Sequence, residues 1–101
     1  MRLVLLDANL RRLAMDSCFR PDGWGASEIR HFFLVAQCAQ AAKVEADLHA
    51  MRMLRLRSHP DESRTSSVQL GEKRRLTLTF NDESPITAQF DVTVIGTEVS
   101  R

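Results

Sequence analysis

No tyrosine occurs anywhere in the 101 residues, and the chain holds only two cysteines, one tryptophan, three prolines and four glycines. Each scarcity excludes something. Without tyrosine, no phenol is present for stacking or proton transfer. Cys18 and Cys38 are far apart and belong to no CxxC or Cys/His array, so they predict neither a zinc site nor a redox pair, but two reduced thiols in a cytoplasmic protein. The longest apolar runs, residues 3–6 and 32–36, fall far short of the ~20 residues that span a bilayer, and no signal-peptide core precedes them. Neither export nor a membrane anchor is expected. The glycine-rich phosphate loops GxxxxGK[ST] and GxGxxG are missing, as are HExxH and GxSxG. Nucleotide-dependent and metalloprotease readings therefore have nothing to rest on, and no metal or cofactor is expected. The sequence carries no internal repeat and no low-complexity tract.

What is present is charge, unevenly placed. The formal net charge is +1, and residues 1–50 balance. Residues 51–75 hold Arg52, Arg55, Arg57, Arg64, Lys73, Arg74 and Arg75 against Asp61, Glu62 and Glu72, whereas residues 76–101 are acidic. A basic middle attracts phosphate where a fold gathers it on one face.

The hydrophobic pattern predicts one α+β domain over residues 1–101. Residues 1–6 read as a strand, followed by a helix from Ala8 to Asp16 capped by Asp7. Pro21-Asp22-Gly23 and Gly25 supply turn chemistry around Trp24, which is expected to anchor the turn or the core. Ile29, Phe32, Phe33, Ala36 and Ala39 follow at helical spacing, predicting a second helix over residues 27–43 with Ser27 as its cap. Residues 44–51 are ambiguous, with Asp47 able to cap one short turn. Beyond Met51 the period becomes 2, predicting strands around Leu54–Leu56, Val68–Leu70, Leu76–Phe80 and Phe90–Val94 with loops at 58–65, 71–73 and 81–85. The expectation is two helices on one face of a mainly antiparallel sheet of four to five strands.

In that alternation Leu54, Leu56, Leu76 and Leu78 point to the helices, so Arg55, Arg57 and Arg75 point away and make the open sheet face basic. Arginine forks donate bidentate hydrogen bonds to phosphate oxygens. The same pattern also suits a solvated face balanced by Glu72 and Asp91. His59, in a polar loop between basic strands, has the intrinsic pKa range of a general acid or base. His31 and His49 have no second ligand at i+4 and are expected to be structural or surface residues.

Several runs together resemble the RelE/ParE toxin superfamily, and most closely its HigB-like, plasmid-maintenance branch. They are Leu10-Arg11-Arg12-Leu13-Ala14, Gly23-Trp24-Gly25, Ile29-Arg30, Asp47-Leu48, Leu54-Arg55-Leu56, Ser67-Val68-Gln69-Leu70 and Arg74-Arg75-Leu76. The resemblance spans nearly the whole chain. It implies a microbial RNase-like fold, a cognate antitoxin of helix-turn-helix type as partner, and cleavage of mRNA on the ribosome in the cytoplasm. By the same resemblance His59, Arg64 and Arg75 would be catalytic, while Arg55, Arg57, Lys73 and Arg74 would hold RNA phosphates. The chain departs from the family at residues 60–64, which keep only Arg64 of a Lys-Gly-Asp-Arg-type loop. It departs again at Ser66, where an aromatic is usual, and at Ile95-Gly96-Thr97-Glu98 in place of an Asp-Tyr-His ending. These departures suit a second reading, a RelE-fold module that binds an antitoxin-like partner or RNA without cutting. A gyrase inhibitor of ParE type is a third.

Overall fold

In the computed structural model, described here for residues 1–16, 18–59, 61, 64–71, 73–81 and 86–94, five strands form one mixed sheet in the order β1-β5-β4-β3-β2. β1 (Arg2–Leu5) lies parallel to β5 (Thr87–Val94). β2 (Arg57–Ser58), β3 (Thr65–Leu70), β4 (Arg74–Asn81) and β5 are joined by antiparallel pairings. Three helices accompany the sheet: α1 (Ala8–Met15), α2 (Ala26–Ala41) and the short α3 (Glu45–His49). The expected α+β class is present, with a third helix and a parallel pairing that the simpler expectation lacked. No helix among the described residues is long and apolar enough to cross a membrane.

Helix starts follow side-chain chemistry. Asp7 caps α1 as anticipated, its Oδ1 accepting the backbone N–H of Asn9 at 2.7 Å and of Leu10 at 3.2 Å. The start of α2 differs from the expectation: its cap is Gly25, not Ser27. The reason is Glu28, whose Oε1 reaches back to the N–H of Gly25 at 2.8 Å and fixes the first turn two residues earlier than a Ser27 cap would. Asp47 stabilises α3 from its third position, Oδ2 accepting the N–H of Lys43 at 2.9 Å and of Val44 at 3.3 Å. Those two bonds favour the carboxylate and hold its pKa below the usual value.

Period 2 sorts the strand residues. Val68 and Leu70 on β3, Leu76, Leu78 and Phe80 on β4, and Ala88 and Phe90 on β5 are buried and join Leu10, Leu13, Ile29, Phe32, Val35, Ala39 and Leu48 in one core. Phe32 meets Phe90 edge-on, with ring centroids 6.4 Å apart. Trp24 packs against this core, as anticipated.

The strand expected around Leu54–Leu56 is absent. Arg52–Leu54 is a single 3-10 turn whose last residue, Leu54, is fully buried, and Arg55 then adopts the left-handed conformation with φ 58°. Burying Leu54 from a turn rather than from a pleat forces this reversal, so β2 begins only at Arg57. The loop residues 60, 62, 63 and 82–85, Glu72, and the 95–98 ending on which other expectations bore lie outside the described residues.

Candidate nucleic-acid interface

The late start of β2 opens a groove. An extended β2 would have carried Leu56 and Arg55 across from Val68 and Gln69, but pairing stops at Arg57↔Ser67 and Ser58↔Ser66. Beside the uncovered stretch of β3 lies an open groove of about 950 Å³. Its basic walls are Arg55, Arg57 and Arg75, and His59 and His31 also line it. Among the described residues no aspartate or glutamate lines it.

Three different devices put the arginines there. Arg75 is exposed on β4, one residue out of phase with buried Leu76. Arg57 faces the same side because it pairs with Ser67, which pairs in turn with Thr77. Arg55 arrives through its left-handed turn, a conformation costing an L-residue about 1–2 kcal/mol. Strain of this kind persists where the surrounding structure determines it and collects at functional sites. Among the described residues none of the three has a carboxylate partner. Asp91, offered by the sequence as a balancing acid, lies on β5 opposite Thr77, and its Oδ1 accepts the N–H of Val92 at 2.9 Å.

His59 is half-buried at the end of β2, and its N–H donates to the carbonyl of Thr65 at 2.9 Å. Its ring therefore hangs from a hydrogen-bonded hairpin beside the cations, where an acid or base could reach a bound phosphodiester.

Other expected site residues are elsewhere. Arg74 lies on the helix side of β4 and is almost enclosed. Its Nη1 donates to Glu28 Oε2 at 2.9 Å and to the Gly23 carbonyl at 3.0 Å, and its guanidinium stands 5.0 Å from the Trp24 ring centroid. It is a structural cation, correcting the expectation that it would hold phosphate. Arg64 has a positive φ of 65° and sits with its Nε 3.4 Å from Glu45 Oε1, outside the groove lining. Lys73 is exposed in the turn before β4 and does not line the groove either.

Two groups escaped the sequence reading. His31, expected to be structural or superficial, lines the groove, and its Nε2 is buried with no hydrogen-bond partner. It arrives there because the β3–β4 turn docks on α2: Gly71, with φ +67°, has room for no side chain against Glu28, one helical turn before His31. The second is a polar cluster between α3 and β3. His49 Nε2 lies 3.0 Å from the hydroxyl of fully buried Ser66, and that hydroxyl donates to Glu45 Oε2 at 3.3 Å. Ser66 is too deeply enclosed to attack a substrate, and one nitrogen of His49 faces both partners, so the cluster joins elements rather than forming a nucleophilic triad. No sequence motif marks either group, since each depends on a contact between a helix and a distant strand. No group of three or more possible metal ligands occurs among the described residues.

Comparison of the chain with protein-family models, with curated proteins and with solved structures finds no match.

Proposed function

We propose that this chain is the toxin component of a type II toxin–antitoxin pair, of RelE/HigB-like fold, and that the groove is its RNA site. The observation that carries the reading is the lining itself: Arg55, Arg57 and Arg75 with no carboxylate among the described lining residues, and His59 at the same wall. Guanidinium groups supply the sequence-independent, salt-sensitive part of RNA affinity. The same cations suit the charge that develops on phosphate oxygens during cleavage.

The proposed reaction is transesterification. A base, for which His59 is the candidate, takes the proton of a ribose 2′-OH, and that oxygen attacks the adjacent phosphorus. The P–O5′ bond breaks, an acid returns a proton to O5′, and the products are a 2′,3′-cyclic phosphate and a 5′-hydroxyl end. Arg75 and Arg57 stabilise the pentacovalent oxygens. The proposed partners are the translating ribosome with its mRNA and a helix-turn-helix antitoxin.

One observation favours the reading as a binding module. Arg64, the only residue kept from the family's loop between β2 and β3, pairs with Glu45 rather than lining the groove. Inducing the chain alone in a bacterial host separates the two. The toxin reading expects growth arrest and truncation of ribosome-bound transcripts, both relieved by Arg75→Ala. A soluble, well-expressed chain that neither slows growth nor cuts RNA would leave the binding module.

A further inference from the structure

The α2 end of the groove holds polar groups that phosphate binding does not use. The N–H of His59 donates to the Thr65 carbonyl. In an antiparallel ladder the residues that hydrogen-bond toward one neighbour alternate, so Thr65, Ser67 and Gln69 all direct their backbone groups toward β2. β2 meets only the first two of these, because Arg55 has turned the chain away. The N–H and C=O of Gln69 thus face the groove side by side, a donor next to an acceptor, with no strand partner among the described residues.

Two side chains flank that edge. The exposed thioether of Met53 lines the same groove, as does Val68 on β3. His31 stands at the α2 side with its buried, unpartnered Nε2. His31 thus brings an imidazole with a spare hydrogen-bonding nitrogen to this end of the groove.

An adjacent donor and acceptor, an apolar soft surface and an unpartnered imidazole nitrogen, all beside a cationic rim, are the complement of a nucleobase rather than of a phosphate. We infer that this end of the groove is a nucleobase subsite. An unpaired base lays its face on Met53 and its Watson–Crick edge on the N–H and C=O of Gln69, with His31 adding one hydrogen bond. The inference rests on the proposal that the groove holds RNA. It adds a selectivity that cations alone lack, because a base within a duplex has already spent its Watson–Crick edge.

The test is fluorescence anisotropy of the full chain at one fixed salt concentration with three labelled RNAs: a short single strand, a hairpin duplex of the same sequence, and the single strand carrying one abasic position at each site in turn. The subsite predicts that the intact single strand binds about tenfold more tightly than the duplex or the best-placed abasic strand, the scale expected for one stacked base. Met53→Ala, at a surface residue, and His31→Phe, which keeps the ring but removes both nitrogens, should each abolish most of that preference. In both, duplex affinity should fall much less than single-strand affinity. Equal binding of all three RNAs, or an intact preference in both variants, would overturn the subsite while leaving the RNA groove standing. Absence of binding to any of the RNAs would overturn both.

Discussion

Arg74 and Arg75 are neighbours in the chain and opposites in the fold. A strand turns successive side chains to opposite faces, so one guanidinium is sealed between the sheet and α2 and the other opens on the groove. Arg74 has Glu28, the Gly23 carbonyl and the Trp24 ring around it, whereas Arg75 is exposed beside Arg55 and Arg57 with no acid among the described lining residues. The first cation holds the β3–β4 turn, the Trp24 loop and the start of α2 together. The second is left for an outside anion. Charge counted along the sequence cannot tell these roles apart; pairing can.

The contrast breaks most visibly in stability. Glu28→Ala strands the buried Arg74 charge and removes the tie to Gly25, and breaking such a pair costs about 3–5 kcal/mol. Arg75→Ala, at an exposed position with no carboxylate partner among the described residues, should stay within about 0.5 kcal/mol. Urea unfolding of the two variants beside the parent measures both, and equal losses would erase the distinction. A smaller effect tests how the groove is shaped. Arg55→Gly keeps the left-handed turn without its Cβ penalty, so stability should change by less than about 1 kcal/mol. RNA affinity should fall, with the salt slope reduced by nearly one phosphate contact. A strong destabilisation would instead mean that the Arg55 side chain supports the fold.

The smallest effect lies away from both regions. The Asp47 carboxylate is favoured in the folded chain by the backbone N–H groups of Lys43 and Val44. Its contribution is therefore present above its ordinary pKa, near 3.8, and is lost as pH falls through and below that value. Asp47→Asn should lower stability slightly near neutrality, where the carboxylate is ionised, and leave it unchanged in acid, so that the acid limb of the stability curve flattens. An unchanged acid limb would mean that α3 does not depend on this carboxylate.

Much of this architecture is legible from local pattern. The period of 2 around Val68, Leu76 and Phe90 identifies β3, β4 and β5, and the Asp7 cap marks the start of α1. Around Leu54 the same rule fails, because two leucines spaced by two are equally compatible with a 3-10 turn that buries one of them, and only tertiary packing chooses. Arg55 and Arg57 do reach the groove, but the former by a reversed backbone rather than by a pleat. Arg74 was hidden because its partner Glu28 is 46 residues away. His31 and the open edge of Gln69 were hidden for a related reason, since a groove is made by where β2 stops, which no residue announces.

The central claim is that Arg55, Arg57 and Arg75 form one anion-binding surface. The most direct measurement is the dependence of single-stranded RNA affinity on salt concentration for the parent chain and for the triple Arg55→Ala, Arg57→Ala, Arg75→Ala variant. Three phosphate contacts predict a log–log slope of about −2 for the parent, and near zero for the variant, whose thermal unfolding should be unaltered. A parent slope near zero, or the same slope in a folded triple variant, would contradict the account.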